Sequence, residues 1–103
     1  MNQKIDIPKR DPEHERLLGI VFNLSPAQAS VLSFLSRGTV ATGAQLLAYT
    51  NTVTPIKVVV SRVRTKIKEQ GMDIKSKPNV GYWMEAEDRA DVQAAVENFL
   101  QGA

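Results

Sequence analysis

The stretch Thr54-Pro55-Ile56-Lys57-Val58-Val59-Val60-Ser61-Arg62-Val63-Arg64-Thr65-Lys66-Ile67-Lys68-Glu69-Gln70-Gly71 decides how the rest of the chain is read. Thr54-Pro55 is a helix opening and Gly71 a stop, so a helix is predicted over residues 55–70, roughly 24 Å long at 1.5 Å per residue. At 100° per residue, Ile56, Val60, Val63 and Ile67 share an arc of about 60°, a stripe for burial with Val59 on its flank. Val58, Ser61, Arg62 and Thr65 occupy the opposite arc. Lys57, Arg64 and Lys68 border that arc on one side and Lys66 on the other. Any solvated amphipathic helix has a buried stripe, but its exposed face usually mixes both signs of charge. Here Glu69 is the helix's one acid.

Working upstream, two more helices are announced by their caps. Ser25-Pro26-Ala27-Gln28 combines a capping Ser, a first-turn Pro and a Gln three residues on, followed by the stripe Val31, Leu32, Leu35 and a stop at Gly38. Thr42-Gly43-Ala44-Gln45 repeats the pattern before Leu46, Leu47 and Tyr49, and a turn from Tyr49 to Val53 leads into the long helix. Nearer the start, Asp11-Pro12 with Leu17, Leu18 and Val21 fits a short helix, while Gly19 equally permits a break followed by a strand over Ile20–Asn23. Residues 1–10 lack periodicity, contain Pro8 and read as a flexible arm.

Downstream, Asp73 to Lys77 alternates, Pro78-Asn79 marks a turn and Tyr82 to Glu85 returns, so residues 73–85 form a hairpin with Tyr82 and Met84 inward and Trp83 outward. Packing under an added element is the favoured role for Trp83, ahead of stacking on a sugar or base. Asp88 caps a final helix in which Val92, Ala95, Val96, Phe99 and Leu100 recur at helical spacing up to Gly102. The fold class is therefore mainly α with a small β-hairpin, a helix-turn-helix with a wing over residues 11–87. Residues 88–103 form a C-terminal helix for packing or dimerisation.

The chain has 103 residues, of which 43% are hydrophobic, enough for one core and not two. Apolar runs such as Ile20–Phe22 are far shorter than the ~20 residues of a membrane span, so a cytoplasmic protein with no membrane association is expected. There is no Cys, and the single His14, between Glu13 and Glu15, reads as a solvated surface residue. Without a phosphate loop, a Ser-His-Asp set or metal-ligand spacing, neither catalysis nor a cofactor is expected. The near-neutral net charge of +2 hides an asymmetry. Residues 55–84 carry Lys57, Arg62, Arg64, Lys66, Lys68, Lys75 and Lys77 against Glu69 and Asp73, whereas the tail from residue 85 carries Glu85, Glu87, Asp88, Asp91 and Glu97 against Arg89.

A short helix, a tight turn, a cationic helix and a basic hairpin in succession point to double-stranded DNA. A major groove about 12 Å wide admits such a helix, where Arg can donate to guanine, Ser or Thr can reach a base or phosphate, and Val58 can touch a thymine methyl. The expected contacts on the exposed face of the helix are Lys57, Val58, Ser61, Arg62, Arg64, Thr65, Lys66 and Lys68. From Leu24 to Met84 the chain resembles the winged-helix DNA-binding domain of OmpR/PhoB-type response regulators. The resemblance is carried by Leu24-Ser25-Pro26, Leu46-Leu47, the run Val60 to Ile67 and Val80-Gly81-Tyr82.

The resemblance implies a transcription regulator whose third helix lies in the major groove, with Val59 among its contacts, and whose wing reaches the minor groove, with Ser76 and Lys77 as its contacts. It places a possible RNA polymerase contact at the short turn Thr50 to Val53. The 23 residues before Leu24 are too few for a phosphoacceptor receiver, so phosphorelay control is not expected. They are also too few for the family's initial four-stranded sheet. Pro78 and Trp83 depart from the basic residues usual in the wing. Duplicated half-sites are the usual route to selectivity for so small a module, so a homodimer is expected, with the C-terminal helix as one route to it. The rival reading is a protein-interaction module docking on RNA polymerase or another regulator. DNA binding predicts free Arg62 and Arg64, and the rival predicts that protein carboxylates occupy them.

Overall fold

Asp11 settles the ambiguity at the start of the chain. In the computed structural model, which describes residues 7–38 and 40–102, its carboxylate accepts the His14 backbone N–H at 3.0 Å and Pro12 occupies the first turn. The helix α1 (Pro12–Phe22) runs straight through Gly19 and is closed by Asn23 in the left-handed region, φ 57°. It is followed by α2 (Pro26–Arg37), α3 (Gly43–Thr50), α4 (Ile56–Lys68), β1 (Lys75–Lys77), β2 (Gly81–Trp83) and α5 (Ala86–Gly102). The molecule is mainly α with one antiparallel hairpin, an arrangement compatible with a winged helix. Both expected capping boxes form, Ser25 with Gln28 and Thr42 with Gln45.

The core is built around α2, against which α1, α3, α4 and α5 all pack. The sequence suggested one apolar stripe on this helix, but every residue from Ala29 to Ser36 is buried. Three of these are serines, small enough for close helix approach and each hydrogen-bonded: Ser30 Oγ to the Ala27 carbonyl, Ser36 Oγ to the Ser33 carbonyl, and Ser33 Oγ to His14 Nδ1 at 2.9 Å. No helix among the described residues is alone long and apolar enough to cross a membrane.

Residues 1–6 of the expected arm lie outside the described residues. Lys9 and Arg10 are docked. Arg10 makes a two-pronged pair with Glu15, donates to the Tyr49 carbonyl at 2.6 Å and lies 4.9 Å over the Tyr49 ring. The Lys9 carbonyl accepts from Arg37 and from the Tyr49 hydroxyl.

His14 is likewise not the solvated residue expected. Half-buried against Ser33, its imidazole is held below its ordinary pKa by burial and by the Arg37 charge, against the weaker pull of Asp11 and Glu15. The unfolded chain therefore takes up this proton first as pH falls. Stability is complete above about pH 6.5 and declines below it, until the folded imidazole also protonates. In His14→Gln, urea midpoints measured between about pH 7 and 5 are expected to fall less steeply than in the parent.

Candidate nucleic-acid interface

Helix α4 buries Ile56, Val59, Val60, Val63 and Ile67 against the core. The exposed face carries Lys57, Ser61, Arg62, Thr65 and Lys68, with Val58 half-buried among them. Val59 was expected among the DNA contacts, but it is only 2% exposed: its flank position turns it into the core, and it leaves the set. No side chain caps the N-terminus of α4, where Pro55 precedes the first turn, so its leading N–H groups are left without a side-chain partner.

Two of the expected cations are committed within the chain. Arg64 Nε pairs with Asp73 at 2.9 Å, so it is not free as the DNA reading expected; the carboxylate that holds it belongs to the same chain. Burial pushes the Asp73 carboxyl up, but the Arg64 hydrogen bond, the Ile74 backbone N–H at 2.8 Å and the charges of Arg64 and Lys68 together bring it below its ordinary value. The pair ties α4 to the start of the hairpin. Lys66 Nζ donates to the Asn23 carbonyl at 2.9 Å, binding α4 to the end of α1, and so also leaves the expected DNA-contacting set. Thr65 donates its hydroxyl to the Ser61 carbonyl.

The hairpin pairs Lys75 with Trp83, Ser76 with Tyr82 and Lys77 with Gly81, and turns through Asn79 at φ 66°. A further bridge, invisible in the sequence pattern, joins Tyr82 to Ala41 by two hydrogen bonds of 2.8 and 2.9 Å. This holds the hairpin beside the start of α3. Trp83 is half-buried and donates its indole N–H to Glu85 at 2.8 Å.

Lys57, Ser61, Arg64 and Ser76 line one recess between α4 and the hairpin, together with Tyr82. A wider groove beside it is lined by Thr42, Gly43, Lys57, Lys77, Pro78, Val80 and Tyr82. Arg62 and Lys68 lie outside both recesses, Lys75 and Lys77 on the exposed hairpin. The three ion pairs among the described residues involve Arg10, Arg16 and Arg64. Lys57, Arg62, Lys68, Lys75 and Lys77 are thus exposed cations outside any of those pairs. The chain matches no protein-family model, no curated protein and no solved structure.

Proposed function

We propose that the chain binds double-stranded DNA as a winged helix-turn-helix domain of the OmpR/PhoB type and regulates transcription. The observation that carries this reading is the set of exposed cations, Lys57, Arg62 and Lys68 on α4 with Lys75 and Lys77 on the adjoining hairpin, outside the ion pairs found among the described residues. A helix 10–12 Å across fits a major groove about 12 Å wide. In that groove Arg62 has two donors for a guanine edge, Ser61 reaches a base or phosphate and Val58 meets a thymine methyl. Lys57 and the uncapped start of α4 serve the phosphates, as do Lys68 and the hairpin lysines. Arg64 takes a positioning role, fixing the hairpin against α4 through Asp73.

Selection from random duplexes at near-physiological salt tests binding and specificity together: a recovered motif supports the reading, and an unenriched pool removes the specific part of it. Arg62→Ala is expected to weaken binding to the selected site by about 1–3 kcal/mol and to relax preference at one or two base pairs. Lys68→Ala should weaken binding to every sequence alike. Equal losses on selected and random DNA for both variants would mean that α4 only tracks the backbone.

A second reading, docking on RNA polymerase or another regulator, draws on a different surface. Leu47 is exposed within α3 and Val53, beyond its end, completely so. Leu47→Ser with Val53→Ser would then abolish regulation in cells while leaving DNA affinity unchanged.

A further inference from the structure

Helix α5 is apolar where it meets the body and unpartnered beyond it. Val92 and Val96 are buried in its packing on α1 and α2, while Phe99 and Leu100 continue the same spacing and stay exposed. The exposed surface of the helix is acidic: Glu97 stands one turn from Leu100, Glu87 and Asp91 lie nearer the start of the helix, and its one base, Arg89, is half-buried and donates to the Gly38 carbonyl at 3.1 Å. A symmetric pairing of two α5 helices would set these carboxylates against their own copies, a repulsive arrangement.

The groove between α3, α4 and the hairpin has the opposite character. Its lining combines the apolar Pro78, Val80 and Tyr82 with the cations Lys57 and Lys77. Phe99 lies roughly 20 Å along α5 from its start, on a helix that packs on α1 and α2 rather than on the elements that line this groove. Apolar side chains with an acidic flank on one surface match apolar side chains with cations on the other.

We propose that the end of α5, Phe99 and Leu100 flanked by Glu97, docks head to tail into the Lys57, Lys77 and Val80 groove of a second copy of this chain. The contact joins two different patches, so it builds either an exchanged pair or an open chain of subunits. Because it covers Lys57 and Lys77, it excludes duplex DNA from the same face, a consequence that rests on the DNA reading. The acidic tail then acts as a stand-in for the phosphate backbone and keeps the DNA-binding face of a neighbouring subunit closed until DNA displaces it.

Sedimentation of the full chain at about 100 μM without DNA tests the docking itself. At about 50 mM salt the mass should exceed that of the 11.4 kDa monomer, and at about 500 mM it should return to it. Phe99→Ser should weaken the association at least tenfold with an unchanged circular dichroism spectrum. A double reversal on the helix, Asp91→Lys with Glu97→Lys, and one on the groove, Lys57→Glu with Lys77→Glu, should each give monomers alone and associate again when mixed. A monomeric parent at low salt overturns the proposal, as does association that survives the groove reversal. Addition of duplex DNA, with binding followed separately by anisotropy, should break up the parent assembly. If DNA binds while the parent is monomeric throughout, the docking fails and the DNA reading stands. Salt-sensitive association with the mixing rescue but without DNA binding supports the docking and removes the DNA reading.

Discussion

Raising the salt from 50 to 200 mM is expected to weaken duplex DNA binding by roughly 250-fold, corresponding to a slope near −4 in a plot of log affinity against log salt. The sign follows from counterion release: each cation that meets a phosphate frees ions already condensed on the duplex, and added salt opposes that release. The size follows from the cations available. Lys57, Arg62, Lys68, Lys75 and Lys77 are exposed and outside the ion pairs among the described residues, whereas Arg64 is held by Asp73 and Lys66 by the Asn23 carbonyl. Four or five phosphate contacts at about 0.9 each give the slope. Anisotropy titrations across this range check it; a flat response would mean that phosphates are not what the basic face binds. Lys77→Ala should reduce the slope by about one, because it removes one contact.

The second large effect is on stability. Gly81→Ala is expected to lower the unfolding free energy by about 3 kcal/mol, read from urea denaturation, because two penalties coincide. Gly81 sits at φ 126°, where L side chains are strained, and a Cβ there would lie 2.4 Å from the backbone oxygen of Ala41. That oxygen is the acceptor for Tyr82 in the bridge between the hairpin and the start of α3, and it cannot retreat without breaking the bond. Gly71 separates the two causes. It also has positive φ, 88°, but a Cβ there meets nothing within 4 Å, so Gly71→Ala should cost only about 1 kcal/mol. Similar losses for both would show that backbone strain alone, and not the approach of Ala41, fixes the need for glycine.

Much of the helical frame was legible because capping is a local event. Ser25 with Gln28 and Thr42 with Gln45 are three residues apart, and both boxes form. The stripe of α4 was legible for the same reason, although the helix ends at Lys68 and not Gln70, where the chain turns towards Gly71. Periodicity placed Val59 on a border, and only packing decided that the border faces the core. The commitments of Arg64 to Asp73 and Lys66 to Asn23 were hidden because they depend on where the hairpin and α1 come to rest. Arg10 is a further case, with a partner carbonyl 39 residues away at Tyr49. For α5 the spacing marked one stripe of five positions, yet the body is too short to cover its last turn, and Phe99 and Leu100 stay outside.

The placement of α2 gives the molecule a built-in clock for solvent exchange. Its residues Ala29 to Ser36 are covered on all sides by four other helices, so no single element can leave and expose them. Amide protons of Val31 to Leu35 therefore trade with deuterium only when the whole chain opens, and their rate reports its global stability. The hairpin and the last turn of α5 open by fraying and trade far sooner. The hairpin lysines and Phe99 thus belong to the quickly renewed periphery, while the slowest protons keep time for the entire fold.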